Sequence, residues 1–303
     1  MEIKQISQNT NFKSGLAQSA LNLEKKISID GANKYFQKSK YKDHGDFFQL
    51  DFKNNKAYAA ASILCSKIFA ELRKKYDYRA GFSAQELLMP AGIYVWNDGE
   101  LDKKFQRGAA EYSTLNFDNK SVTSNYSYFR ANTILIQNRH QSLEELNAEM
   151  EKQKEKNHLS TSHFLHCPIH EWIHALQGKF IENLTKGLGL GTFETTVNVN
   201  LKSSVNDKEN EVVRDVLGEY AADRGSNQMQ YAEIFAEAWT KFICNSLDED
   251  CVHFKKDPID ELNKTPREFR EILKKVSALK TCGSLGVNGK FIQYSWGKNW
   301  DKK

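Results

Sequence analysis

A chain of 303 residues with 40% hydrophobic side chains is long enough to enclose a sizeable core, as one large domain or two modest ones. Its 43 Lys and Arg face 39 Asp and Glu, a formal net charge of +4 spread over both signs. The densest basic runs, Lys152 to Lys156 and Lys302-Lys303, are interrupted or short, so nucleic-acid binding is not expected. The apolar runs around Ala59 to Ala61 with Ile63 to Cys65, and Ile134 to Ile136, fall far short of the ~20 residues a membrane span requires, and none is expected.

The opening Met1-Glu2-Ile3-Lys4-Gln5 is polar and lacks the apolar core of a secretory signal. Cytoplasmic synthesis is expected, with export by a signal-peptide-independent route left open. Cys65, Cys167, Cys244, Cys251 and Cys282 are odd in number and irregularly spaced, which fits reduced thiols better than a disulfide framework. Cys244 and Cys251 are close enough in sequence to close a small loop in an oxidising compartment. The sequence does not specify an oligomeric state.

Residues 1–56 are rich in Asn, Gln, Ser and Lys, and only Leu16 to Ile27 hints at a short amphipathic helix. A polar, mobile or peripheral extension is expected there, ahead of a main domain over residues 57–303. From Ala57 to Tyr76 the residues Ala61, Leu64, Cys65, Ile68, Phe69 and Leu72 recur at helical spacing, predicting a long core-facing helix. Segments Ala91 to Trp96, Glu111 to Phe117, Ser121 to Phe129 and Ala131 to Gln137 are β-branched and aromatic, separated by Asn-Asp-Gly and Asp-Asn turns. They predict a small, mostly antiparallel sheet. Alternation within Ala131 to Gln137 marks that strand as the sheet edge expected to pair with an extended substrate.

Ser142 to His158 predicts a charged, solvated helix with little to bury. Helical spacing returns over Asn210 to Asp223, Gln230 to Cys244 and Thr265 to Leu279, the last with a capping box in Thr265-Pro266-Arg267-Glu268. Gly187-Leu188-Gly189-Leu190-Gly191 lacks the Lys-Ser/Thr that a phosphate-cradling loop needs, and a flexible turn is expected. The fold class that follows is α+β.

The chemistry concentrates in His170-Glu171-Trp172-Ile173-His174. At ~3.6 residues per turn, His170 and His174 share a helix face and can bind one Zn²⁺, with Glu171 beside them as a general base toward a metal-activated water. Pro168 suits the first helical turn, and Ile169, Trp172, Ile173 and Leu176 provide apolar faces, with Gly178 as a stop. A catalytic zinc site needs a third protein ligand. His166 is expected to be cut off from the helix by Pro168, and Cys167 to lie away from the metal.

Tyr231-Ala232-Glu233-Ile234-Phe235-Ala236-Glu237-Ala238-Trp239 places two carboxylates one turn apart in an otherwise apolar helix. Burying them is costly unless a cation or hydrogen bonds compensate. Glu233 is therefore the expected third ligand, and Glu237 is placed to hold the second ring nitrogen of a zinc-binding histidine. Glu211, Asp215, Glu219 and Asp223 on the preceding helix are rival ligands in less apolar contexts.

These two motifs together resemble the anthrax lethal-factor-like branch of the zincin metallopeptidases, whose second motif reads glutamate, aromatics, then Ala-Glu-Ala-aromatic. The resemblance covers roughly residues 160–245 and is specific in the two motifs only. It implies a zincin-like fold: a long helix, a twisted sheet, a helix bearing the two histidines and a later helix bearing the glutamate. It further implies one zinc per chain held by His170, His174 and Glu233, Glu171 as general base, and a protein or peptide substrate. The family also carries a tyrosine shortly before the glutamate helix, which hydrogen-bonds the oxyanion. Tyr220-Ala221 resembles that element, although its gap to Glu233 is longer than usual, and Tyr231 is the nearer alternative. The expected function is a zinc endopeptidase. The alternative is a non-catalytic protein-binding or phage-associated structural module on the same fold, and the choice between a host-directed toxin and a phage role stays open.

Overall fold

The N-terminal segment, expected to be a peripheral extension, supplies two helices of the core. Helix α1 (Gly15–Lys26) buries Leu16, Ala17, Ala20 and Leu21 along one stripe, and its closing Lys25 and Lys26 suit the negative end of the helix dipole. Helix α2 (Ile29–Lys38) follows and buries Ala32 and Phe36. A few small and apolar residues at helical spacing suffice to dock a polar helix. This structure is a computed structural model, α+β and mostly helical. It describes residues 15–38, 49–75, 92–98, 110–113, 117–118, 128–129, 133–175, 205–223, 230–276, 278–280 and 291–293. The Gly187 to Gly191 turn and Lys302-Lys303 lie outside the described residues.

Both N-terminal helices pack on α3 (Lys56–Lys75), where Ala57 to Ser66 are buried without interruption. Asn55 opens this helix: its side-chain oxygen accepts the Tyr58 amide at 3.0 Å, a cap, while its amide nitrogen donates to the His140 carbonyl at 2.6 Å.

Strand β1 (Gln49–Asp51) precedes α3, and β2 (Gly92–Trp96) follows and pairs with β1 in parallel. The helix between them is the long crossover a parallel pair requires. Beyond β3 (Ala110–Ser113) and a separate two-stranded antiparallel ribbon of β4 (Phe117–Asp118) with β5 (Tyr128–Phe129), strand β6 (Thr133–Gln137) runs parallel to β2 and antiparallel to β3. The sheet order is β1-β2-β6-β3. Three neighbouring strands are parallel, so the expectation of a mostly antiparallel sheet is corrected.

The expectation that Ala131 to Gln137 forms a substrate-pairing edge is corrected as well, because β6 lies between two strands and all five of its residues are buried. Ala131 and Asn132 lie outside the described residues. The unbroken Ile134-Leu135-Ile136 run is the pattern of a strand covered on both faces.

Helix α4 (Leu143–Glu155) is capped by Ser142, whose side chain accepts the Glu145 amide at 3.1 Å, and it buries Leu143, Leu146, Asn147 and Met150. It is not the wholly solvated helix its charge suggested. Helix α5 covers residues 166–175 within the described residues. Helix α6 (Asp207–Leu217) begins with a capping box of Asn206 and Glu209 and breaks at Gly218 before α7 (Glu219–Asp223). Helix α8 (Gln230–Ser246) is followed by α9 (Pro258–Asn263), α10 (Arg267–Val276) and an antiparallel pair, β7 (Ala278–Lys280) with β8 (Phe291–Gln293). The Thr265 hydroxyl donates back to the Leu262 carbonyl at 2.7 Å. Trp172 of α5 packs at a tilt against Phe69 of α3, ring centroids 5.4 Å apart, which seats the histidine helix on the long helix. No described helix is long and apolar enough to cross a membrane.

Candidate metal centre

Helix α5 carries His166, His170 and His174 at four-residue intervals, so all three imidazoles lie along one stripe. Pro168 does not exclude His166 from the helix, as had been expected. It occupies the first turn, where a backbone N–H lacks an intrahelical partner in any case, and the His166 amide donates to the His163 carbonyl at 2.8 Å. Ile169, Trp172 and Ile173 are buried and orient the stripe.

On α8, buried Ile234, Phe235, Ala236, Ala238 and Trp239 fix the helix, and Glu233 and Glu237 sit one turn apart. The two helices meet as an alternating ladder. Glu237 Oε2 lies 3.1 Å from His166 Nε2 and 3.1 Å from His170 Nδ1. Glu233 Oε2 lies 3.1 Å from His170 Nε2 and 3.4 Å from His174 Nε2, and the two Nε2 atoms are 3.0 Å apart. Running the order His166, Glu237, His170, Glu233, His174 pairs the beginning of one helix segment with the end of the other.

Two three-residue groups in this ladder bring ligand atoms within 4.8 Å of one another and could hold a metal ion: His170, His174 and Glu233, and His166, His170 and Glu237. They differ in access. The inner group is fully enclosed, and the second oxygen of Glu237 already accepts the Ser160 backbone amide at 2.7 Å. The outer group is partly open, with side-chain exposures of 14% for His174 and 13% for Glu233.

Electrostatics follow the same division. Burial alone would raise the Glu237 carboxyl, but the His166 and His170 imidazoles outweigh it and hold Glu237 far below the usual carboxylate range. Glu233 is likewise depressed against its burial, first by His174 and then by His170. Burial would lower His170, yet Glu233 and Glu237 overcome it and push the imidazole up to about 10. Two buried carboxylates thus demand positive charge between them, from protons or from a cation.

Glu171 is buried in the turn that carries His170, and its charge is felt by the neighbouring Cys167 thiol, which burial raises first. Cys167 itself turns toward α4, its Sγ 3.5 Å from Met150 Sδ, and stays outside the ladder as expected. Cys65, Cys167, Cys244 and Cys251 are free thiols, and Cys282 lies outside the described residues.

Tyr220 reaches the ladder by a backbone device that carries no sequence motif. Gly218 breaks the helix with φ of 98°, and the amides of Glu219 and Tyr220 then donate to the Asn157 and His158 carbonyls at 2.8 and 2.9 Å. The Tyr220 ring stands edge-on to His158 and to His170, centroids 5.5 and 5.7 Å away. The Tyr231 side chain lies outside the described residues. Among the rival ligands, Glu211 and Asp215 are exposed and Glu219 pairs with Arg214 at 2.9 Å, while the side chain of Asp223 lies outside the described residues.

The structure therefore brings His170, His174, Glu233, Glu237 and Tyr220 together, and Glu171 is buried next to His170 in the chain. His166, Ser160 and His158 join them unpredicted. The four-residue spacing of His166 from His170 was the available signal for the first. The other two come from a loop with no motif. Comparisons of the chain with protein-family models, curated proteins and solved structures return no match, so its function rests on the site itself.

Proposed function

We propose that the chain is a zinc-dependent endopeptidase of zincin-like fold, with His170, His174 and Glu233 as the ligands of one zinc ion. The observation that carries this reading is the spacing of the outer group. Tetrahedral zinc with bonds of about 2.0–2.2 Å sets neighbouring ligand atoms roughly 3.3 Å apart. The three atoms here are separated by 3.0, 3.1 and 3.4 Å. Two neutral imidazoles and one carboxylate are a ligand set that zinc accepts, and the partial exposure of His174 and Glu233 leaves a side for water and substrate. The element order of long helix, sheet, histidine helix and carboxylate helix supports the same fold.

Zinc in such a site supplies a Lewis acid that acidifies water and polarises a substrate carbonyl. Each protein group then has a task. Glu237, an acceptor only, keeps a proton on His170 Nδ1 and so leaves Nε2 as the coordinating atom. Glu171 takes the proton of the attacking water and passes it to the leaving amine. Tyr220 donates to the carbonyl oxygen as negative charge grows on it, a contribution made mainly in the transition state. The substrate is a protein or peptide. Profiling cleavage of a peptide library with the purified chain, beside a Glu171→Ala control, tests the proposal: cuts made by the wild type and absent from the control support it, and cuts common to both refute it.

A further inference from the structure

Of the five ladder residues, His166 alone has no task in the site proposed above. It is also among the most deeply placed, 1% exposed against a Glu237 that is fully buried. Its Nε2 lies 3.1 Å from Glu237 Oε2, while its Nδ1 is buried with no hydrogen-bond partner among the described residues. A proton on Nδ1 would be an unsatisfied buried donor and would leave a lone pair facing a carboxylate. The proton therefore resides on Nε2, and His166 donates to Glu237.

That bond has a consequence for His170. The Ser160 amide holds Glu237 Oε1, but Oε2 is shared between two imidazoles, at 3.1 Å each. Without His166, Oε2 is held only by His170, the ring whose orientation it would set. The His166 contact restrains Oε2 independently of His170. We infer that His166 is a positioning residue for the metal site: it fixes the Glu237 carboxylate, which in turn fixes the tautomer and ring orientation of His170. The inference rests on the reading of His170, His174 and Glu233 as metal ligands. It extends the support of the site by one imidazole beyond the carboxylate, along the stripe His166, His170, His174.

The test is zinc affinity of the full-length, metal-stripped chain, measured by competition with a chromophoric chelator, together with stoichiometry and the unfolding midpoint of the metal-free form. His166→Leu removes the donor. His166→Gln carries an amide nitrogen near the Nε2 position, and His166→Asn places it near Nδ1, out of reach of Glu237. The expected pattern is one zinc in the wild type, affinity about tenfold or more weaker in the Leu and Asn variants, and recovery to within about threefold in the Gln variant. Comparing Gln with Asn keeps the test decisive if the Leu variant does not fold.

Three results would overturn the inference. One is wild-type affinity in all His166 variants while His174→Ala loses zinc. Another is equal weakening in Gln and Asn variants, which would mean packing alone. The third is a second zinc equivalent that disappears with His166, which would make it a ligand. If His174→Ala instead binds zinc as well as the wild type, the metal-site reading itself fails, and this inference fails with it.

Discussion

Glu237 Oε2 stands 3.1 Å from His170 Nδ1 at the fully buried end of the site, so the imidazole presents its other nitrogen toward Glu233 and His174. Replacing Glu237 with Gln keeps an oxygen that can accept the Nδ1 proton but removes the charge that would strengthen His170 as a ligand in the proposed site. Zinc affinity is expected to fall about 10–100-fold, measured by chelator competition. Unchanged affinity would show that the carboxylate supports the fold and not the metal.

Tyr220 is expected to act on the rate more than on substrate binding. Tyr220→Phe preserves the ring that stands edge-on to His158 and His170 and deletes only the hydroxyl. Loss of one donor to a developing oxyanion typically lowers kcat by ~10²-fold or more, with KM little changed. Tyr231→Phe should stay near wild type in steady-state kinetics, and the reverse ranking would move the role to Tyr231.

Gly218 is expected to resist substitution for two independent reasons. Its φ of 98° lies in the left-handed region, and a Cβ there would sit 2.7 Å from the Asn157 carbonyl oxygen. Gly218→Ala should therefore cost roughly 1–3 kcal/mol in denaturant unfolding. A cost below a few tenths would mean that the α6–α7 break relaxes freely.

Much of this was legible in the sequence, and the failures have identifiable causes. The pair of imidazoles at His170 and His174 and the pair of carboxylates at Glu233 and Glu237 announced themselves, because four-residue spacing in apolar helices leaves few arrangements for buried charge. His166 is hidden because a proline in the first turn is compatible with a helix that begins either at the proline or two residues before it, and sequence does not choose between them. Strand β1 was hidden within a polar segment, and without it the β1-α3-β2 crossover, and hence the parallel pairing, could not be recognised. Continuous apolar character in Ile134-Leu135-Ile136 outweighed the weak alternation that had suggested an edge. The Ser160 amide and the Asn157 and His158 carbonyls act through backbone atoms, which carry no residue signature.

His163 is expected to make the fold acid-sensitive. Its Nδ1 accepts the Leu165 amide at 3.1 Å, and burial, followed by the neighbouring His166, lowers its pKa from the ordinary 6.5 to about 4. The unfolded chain then takes up this proton first as pH falls. The contribution is complete above pH 6.5, is lost between 6.5 and about 4, and is flat below. His163→Asn offers an oxygen near the Nδ1 position without titrating. Unfolding midpoints measured from pH 7 to 4 should decline more steeply in wild type than in this variant, and parallel profiles would remove His163 from the account.

In the proposed site one helix turn divides its labour, His170 and His174 holding the metal and Glu171 moving the proton. Zinc content and peptide hydrolysis measured side by side on wild type, His174→Ala and Glu171→Ala test it most directly. The account predicts about one zinc per chain with hydrolysis in the wild type, loss of both in His174→Ala, and retained zinc with hydrolysis reduced by at least ~10²-fold in Glu171→Ala. Equal zinc loss in the two variants, or hydrolysis that survives in Glu171→Ala, would contradict it.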